Sequence, residues 1–184
     1  MARRGVEVLM TGSAIEIRRV RTPQDIAVVR AMVWEFFDLM RARYPDMLDT
    51  IDAYIADQDL AGQLADFPRY FAPPAGECFL ALLDGGPAGI CKLRPGRGRT
   101  AELNRMYVRA AGRGHGLGRA LCLATVEEAW RLGYSTVLLD ALYRHVEALP
   151  LYRSLGFRDY SARGVFGGGD ERIIHMRLDR PERE

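Results

Sequence analysis

The sequence predicts a single α+β domain built on one mixed β-sheet, antiparallel in its first half and closed by a parallel crossover in its second. Three observations carry that prediction. The length, 184 residues, suits one domain that buries roughly 70% of its extended-chain surface. The composition, 48% hydrophobic and 27% charged, is that of a globular chain and excludes collagen, low-complexity disorder and coiled coil. The apolar period switches between about 2 and about 3.6 in the order β-α-α-β-β-β-α-β-α-β-β, with no internal repeat.

Residues 1–12 carry Arg3 and Arg4 but no apolar run long enough for a signal peptide, and a flexible N-terminal segment is expected there. Residues 15–20 alternate Ile-Glu-Ile-Arg-Arg-Val and read as the first strand. Thr22-Pro23 starts a helix, with Asp25 near its positive end. Ile26, Val29, Met32, Phe36 and Met40 repeat at three and four, and Tyr44-Pro45 stops the run. An acidic helical stretch, residues 47–64, follows; Pro68 and Pro73-Pro74 mark an extended connection. From Glu77 the period shortens. Residues 78–83 form an apolar strand, Asp84-Gly85-Gly86 a hairpin turn, and 88–94 the return strand, with 101–108 next. A glycine-rich loop, 109–118, leads into a helix to about residue 132, whose Cys122, Val126, Ala129 and Trp130 face the sheet. Residues 136–142 are apolar except for Asp140, the pattern of a strand buried on both faces. A short helix at 147–155 and strands at 158–162 and 172–178, joined by Gly167-Gly168-Gly169, complete the order.

Cys78, Cys91 and Cys122 are scattered with no C-x-x-C pair, which argues for buried free thiols and against a disulfide framework or zinc site. Lys92 is the sole lysine, a feature that composition assigns to genome bias. Net charge is +2, unevenly spread. Residues 35–84 hold ten acids against three arginines, a balance of −7, whereas 92–131 hold nine bases against three acids, a balance of +6.

Arg113-Gly114-His115-Gly116-Leu117-Gly118 lies between a strand and a helix, where backbone N–H groups and the helix dipole hold anions. A P-loop would end in Gly-Lys-Ser/Thr, which is missing. A dinucleotide fingerprint fails from Gly112, Gly114 or Gly116, because its last position holds Leu117, Arg119 or Leu121. What remains is Arg113-x-x-Gly116-x-Gly118, with Glu102-Leu103-Asn104-Arg105-Met106-Tyr107-Val108 before it. After it come Leu139-Asp140, Ala148, Leu151-Tyr152 and Leu155-Gly156-Phe157. In these motifs the sequence resembles the GNAT N-acetyltransferase superfamily, tightly over 103–157 and in element order over 15–178.

The resemblance implies a GNAT-type fold over residues 13–181: a mostly antiparallel sheet with a splayed parallel strand pair, flanked by about four helices. It implies acetyl-CoA as acyl donor and no metal. The pyrophosphate would rest on the N–H groups of Arg113, Gly114, His115, Gly116, Leu117, Gly118 and Arg119, and pantetheine would pair like an extra strand with Met106, Tyr107 and Val108. His145 stands where the family often has Asn and is a further candidate contact to pantetheine. One feature of the residues supports the splayed pair independently. Leu103, Met106 and Val108 are spaced three then two, one residue too many for alternation, which predicts a β-bulge.

Amine acetylation needs a base for the ammonium proton, polarisation of the carbonyl and an acid for the departing thiolate. The resemblance places Tyr152 as that acid, since a phenol with pKa near 10 can protonate a thiolate. Glu102 is the candidate base, directly or through water, against the alternative of a strand-end glutamate paired with Arg105. Carbonyl polarisation is expected from a backbone N–H near Val108. Pro150, two residues before Tyr152, cannot donate a helical hydrogen bond and predicts a helix that starts late or kinks. His115 is expected in solvent and His175 in a structural role.

The acceptor, a primary amine of a small molecule or protein, belongs to the first two helices and the last hairpin, where Trp34, Phe36 and Phe37 are candidate lining residues. The acidic balance of 35–84 predicts that it is cationic. The alternative function is a catalytically silent acyl-CoA-binding or sensing domain, with affinity for coenzyme A and no turnover. Tyr107 is the only aromatic residue between Lys92 and Trp130, which argues against a nucleic-acid partner. No apolar run reaches 18 residues, so no membrane is expected. The cytoplasm is the default location, and a homodimer is compatible with the fold.

Overall fold

The computed structural model describes residues 8–10, 13–162 and 167–182. Before the long sheet strands come β1 (Val8–Met10), β2 (Ser13–Arg19), α1 (Pro23–Arg43), α2 (Leu48–Asp57), α3 (Leu60–Ala65) and α4 (Phe67–Phe71). Then follow β3 (Glu77–Leu83), β4 (Gly86–Pro95), β5 (Thr100–Val108), α5 (Leu117–Arg131), β6 (Thr136–Leu142), α6 (Ala148–Ser154), β7 (Arg158–Asp159) and β8 (Ile173–Asp179). The strands form one sheet in the order β1-β2-β3-β4-β5-β6-β8-β7, in which β5–β6 is the parallel pair and every other neighbour is antiparallel. The fold is thus the expected mixed, mostly antiparallel sheet. Val8–Met10 adds an edge strand inside the stretch expected to be flexible; the rest of residues 1–12 lies outside the described residues.

The continuous apolar run of β3 has a simple cause. Its Phe79 and Ala81 pack under α5, while Cys78, Leu80 and Leu82 pack under α1–α4, so both faces are covered. Helix α1 starts where the sequence marks it. Thr22 accepts the Asp25 N–H at 3.1 Å, Pro23 opens the first turn, and Asp25 also accepts from Arg18 at 2.7 Å. Cys78, Cys91 and Cys122 are buried free thiols, as expected.

Three expectations are corrected. The acidic stretch 47–64 is two helices, because Asp59 adopts a left-handed φ of +43° and its carboxylate caps the Gly62 N–H of α3. Pro68 does not begin an extended connection. It sits in the first turn of α4, which buries Phe67 and Phe71, so the described residues hold six α-helices rather than four. Pro150 leaves α6 intact, since it occupies the first helical turn, where no N–H is needed.

Candidate active site

Strands β5 and β6 pair only from Thr100↔Thr136 to Glu102↔Leu138 and then part. The cause lies in β5. Ile90 faces Tyr107 and Lys92 faces Asn104, so Arg105 and Met106 together oppose Cys91. This is the predicted bulge. It is completed by Arg105 at φ +55°, a conformation that costs a non-glycine residue roughly 1–2 kcal/mol. Among the described residues the β6-facing edge of β5 beyond Glu102 has no strand partner, and Met106, Tyr107 and Val108 lie on that open edge. The gap opens into a cavity of about 790 Å³ that runs from α1 and α2 to the turn before α5.

That turn is built to face an anion. Gly114 and Gly116 both have φ +79°, and the position of a Cβ on either looks onto empty space. Among the described residues the N–H groups of Gly114, His115 and Gly116 have no backbone acceptor, and those of Leu117, Gly118 and Arg119 sit in the first helical turn, which supplies none. Arg113 is the exception to the expected set. Its N–H is bonded to the Ala110 carbonyl at 3.2 Å, because the chain makes a 3₁₀ turn there. Its guanidinium donates to the Val108 carbonyl at 3.3 Å. The side chain of Leu117 is buried core, so only its backbone faces the cavity. His115 is exposed, its Nδ1 3.0 Å from the Arg113 carbonyl, and Arg119 donates to the Ser154 hydroxyl at 3.1 Å. Coenzyme phosphates fit this cradle by charge, donor count and space.

Tyr152 projects from α6 into the cavity wall, buried, its ring 5.8 Å from that of Phe157. Burial pushes its phenol well above the usual tyrosine range, and among the described residues its hydroxyl has no hydrogen-bond partner. Glu102 also lines the cavity, but its partner is Arg94 rather than Arg105: Nε and Nη2 donate to Oε2 at 2.8 and 2.5 Å. Across the gap Asp140 of β6 lines the same space, with Oδ1 2.6 Å from His175 Nδ1, whose Nε2 is 3.2 Å from the Gly167 carbonyl. His145 lines the wall near α1, its Nε2 2.9 Å from Met40 Sδ. Burial, with help from Arg43, pushes the imidazole down to about 4, so the ring is neutral at neutral pH.

The acidic stretch does not make an acidic pocket. Glu35 pairs with Arg109, Asp46 with Arg144 and Asp52 with Arg41, while the wholly buried Glu77 takes Arg19 and Arg21. Of the ten acids in 35–84, Asp57 alone lines the cavity. Arg43, Arg94, Arg97 and Arg105 line it too, so the charge argument for a cationic acceptor is lost. Phe36 and Phe37 line the cavity; Trp34 does not, and is exposed. Sequence reasoning gave Arg105 and Lys92 no role of their own. Both are buried beside the bulge, and the available signal was the chain's sole lysine, set between Cys91 and Leu93 in a strand.

The chain matches the Acetyltransferase (GNAT) family over residues 33–157. An uncharacterised N-acetyltransferase of Schizosaccharomyces pombe is 29% identical over 93% of this chain and 98% of its own length. Human N-acetylaspartate synthetase is 38% identical over 67% of this chain, which spans 41% of that protein. Among solved structures, the PaiA N-acetyltransferase of Thermoplasma acidophilum, in complex with coenzyme A, superposes with a TM-score of 0.65 at 16% identity, covering 90% of this chain and 99% of that one. The chain belongs to the GNAT acetyltransferase family and is an acyltransferase.

Proposed function

We propose that residues 13–181 form an acetyl-CoA-dependent N-acetyltransferase domain whose acceptor is the primary amine of a small molecule. The observation that carries this reading is that the β5–β6 gap and the unbonded N–H groups of residues 114–119 open into one cavity. The coenzyme A complex of the PaiA enzyme supports the choice of donor, and the relatives named N-acetylaspartate synthetase support a small-molecule acceptor over a protein. Acetyl-CoA supplies the activated thioester. In this reading the turn residues Gly114 to Arg119 hold its phosphates, and the open edge of Met106, Tyr107 and Val108 aligns the pantetheine, with His145 beside it as a neutral donor or acceptor. Tyr152 keeps its proton until the thiolate leaves, and the Val108 N–H polarises the acetyl carbonyl. Glu102 takes the ammonium proton through water, with Asp140 as the other carboxylate on the gap.

Incubation with acetyl-CoA and a panel of amines, read by product mass and free thiol, should yield acetylated amine with matching thiol release. Coenzyme A binding without turnover on any amine would instead favour the silent binding domain.

A further inference from the structure

Among the described residues, four of the five buried polar side-chain atoms without a hydrogen-bond partner lie on Gln58, Lys92, Asn104 and Arg105, and of these Lys92 Nζ sits 3.9 Å from the Phe71 ring centre. Lys92 and Asn104 face each other across β4 and β5, Arg105 follows Asn104, and Gln58, Asn104 and Arg105 line the cavity under α1 and α2. Buried polar atoms are nearly always satisfied, so a local group of orphans marks where a polar ligand sits. Arg105 is 6% exposed. Its guanidinium lies 4.9 Å from the Phe37 ring centre and 5.0 Å from that of Tyr54, and its Nη1 donates to the Tyr54 hydroxyl at 3.1 Å. Among the described residues no carboxylate pairs with it and no acceptor reaches Nε or Nη2.

Among the described residues none of the cavity's carboxylates is paired with Arg105. Arg94 and Glu102 neutralise each other, as do Arg43 and Glu147, and Asp140 is bonded to His175. Asp57 keeps its charge, since it accepts from the neutral Gln58 amide at 3.4 Å, but among the described residues it forms no ion pair with Arg105. A buried charge without a counter-ion is costly unless a partner of opposite sign completes it. The edge left open is the side-on Nε–Nη2 fork, whose parallel N–H bonds match the two oxygens of a carboxylate. The positive φ of the bulge and the two aromatic rings fix that fork in place before any ligand arrives.

We infer that the α1–α2 half of the cavity binds the carboxylate of an amino-carboxylate acceptor on the Nε–Nη2 edge of Arg105, an inference that rests on the acetyltransferase reading above. Asn104 Oδ1 and Gln58 Oε1, the unpartnered acceptors lining the same cavity, suit the N–H groups of the acceptor's amine rather than its carboxylate.

The test uses matched amines that differ only at the anion: L-alanine against L-alaninamide, L-phenylalanine against its amide, and β-alanine against O-phosphoethanolamine. Binding is read by calorimetry with coenzyme A present, and turnover by thiol release. The carboxylate member of the best-bound pair should win at least tenfold in both readouts. Arg105→Gln should bring that ratio toward one, and Arg105→Lys, which keeps the charge but not the fork, should give a value between. Melting temperature and coenzyme A affinity report whether each variant is folded. Equal treatment of acid and amide by the wild-type protein overturns the inference without any variant. Preference for O-phosphoethanolamine over β-alanine overturns the carboxylate. Selective carboxylate binding without turnover would sustain the Arg105 site while sinking the enzymatic reading.

Discussion

Tyr152 and Glu102 are both in the cavity wall, yet their surroundings differ. Burial keeps the Tyr152 phenol protonated far into the alkaline range, so it is always in the form that can give a proton to a thiolate. Glu102 accepts both Arg94 bonds on Oε2, which leaves Oε1 as the atom that can meet a water. Tyr152→Phe removes the hydroxyl but keeps the ring against Phe157. Turnover should therefore fall about 100-fold, with melting temperature and coenzyme A affinity nearly unchanged. Because the phenol does not ionise below pH 9, the loss should be flat from pH 6 to 9. A variant within threefold of wild type across that range would remove Tyr152 from the chemistry. The two residues could be picked out of the sequence because they sit in motifs. Arg105 stands in the same motif as Glu102, but its role could not be read there, since it depends on which way the predicted bulge turns one side chain, and an arginine in a strand looks like any solvated one.

At the scale of elements, glycine and proline were the most legible signals. Thr22-Pro23 set the start of α1, and Gly114 and Gly116 set the turn before α5, because each acts through the local backbone alone. The break at Asp59 and the α4 turn at Pro68 were not legible, since a non-glycine left-handed residue and a proline at a helix start both depend on what the next residues bury. The turn before α5 yields a prediction that separates backbone strain from charge. Gly116→Ala and Gly116→Glu impose the same strain at φ +79°. Only the glutamate sends a negative carboxylate into the space in front of the N–H groups. Calorimetry should find coenzyme A binding weakened at least 100-fold in the glutamate variant and several-fold less in the alanine one. Equal effects of the two substitutions would assign the turn a structural role and take the phosphates elsewhere.

The whole molecule is two cores on either side of one sheet, with the cavity running through the gap in the sheet between them. Charge totals along the chain misjudged that cavity because nine of the ten acids of residues 35–84 lie away from it, and Glu35, Asp46 and Glu77 are paired with arginines from distant segments, which no local window contains. The joint between the two halves is held in part by His145, which packs on Met40 and lies 5.9 Å from the Tyr44 ring and 6.5 Å from that of Phe36. This has a consequence for acid stability. The folded chain holds the imidazole near 4, below its ordinary 6.5. A depressed histidine favours the neutral form, so the native state loses nothing above pH 6.5, whereas below it the unfolded chain takes up a proton that the folded chain refuses. Stability should fall as pH drops from 6.5 to about 4, by as much as about 3 kcal/mol, and level off for this group once the folded ring is also protonated. Below that, Glu128 takes over: its carboxylate, raised by burial but lowered further by Arg131 and Arg19, loses both partners when protonated. His145→Asn keeps a polar side chain and removes the titration. Denaturant unfolding of both proteins from pH 7.5 to 4 should show the gap closing in favour of the variant as pH falls, whatever packing it loses at pH 7.5. Parallel curves would mean that His145 takes up its proton equally well in both states, and the acid sensitivity would then rest on the carboxylates alone.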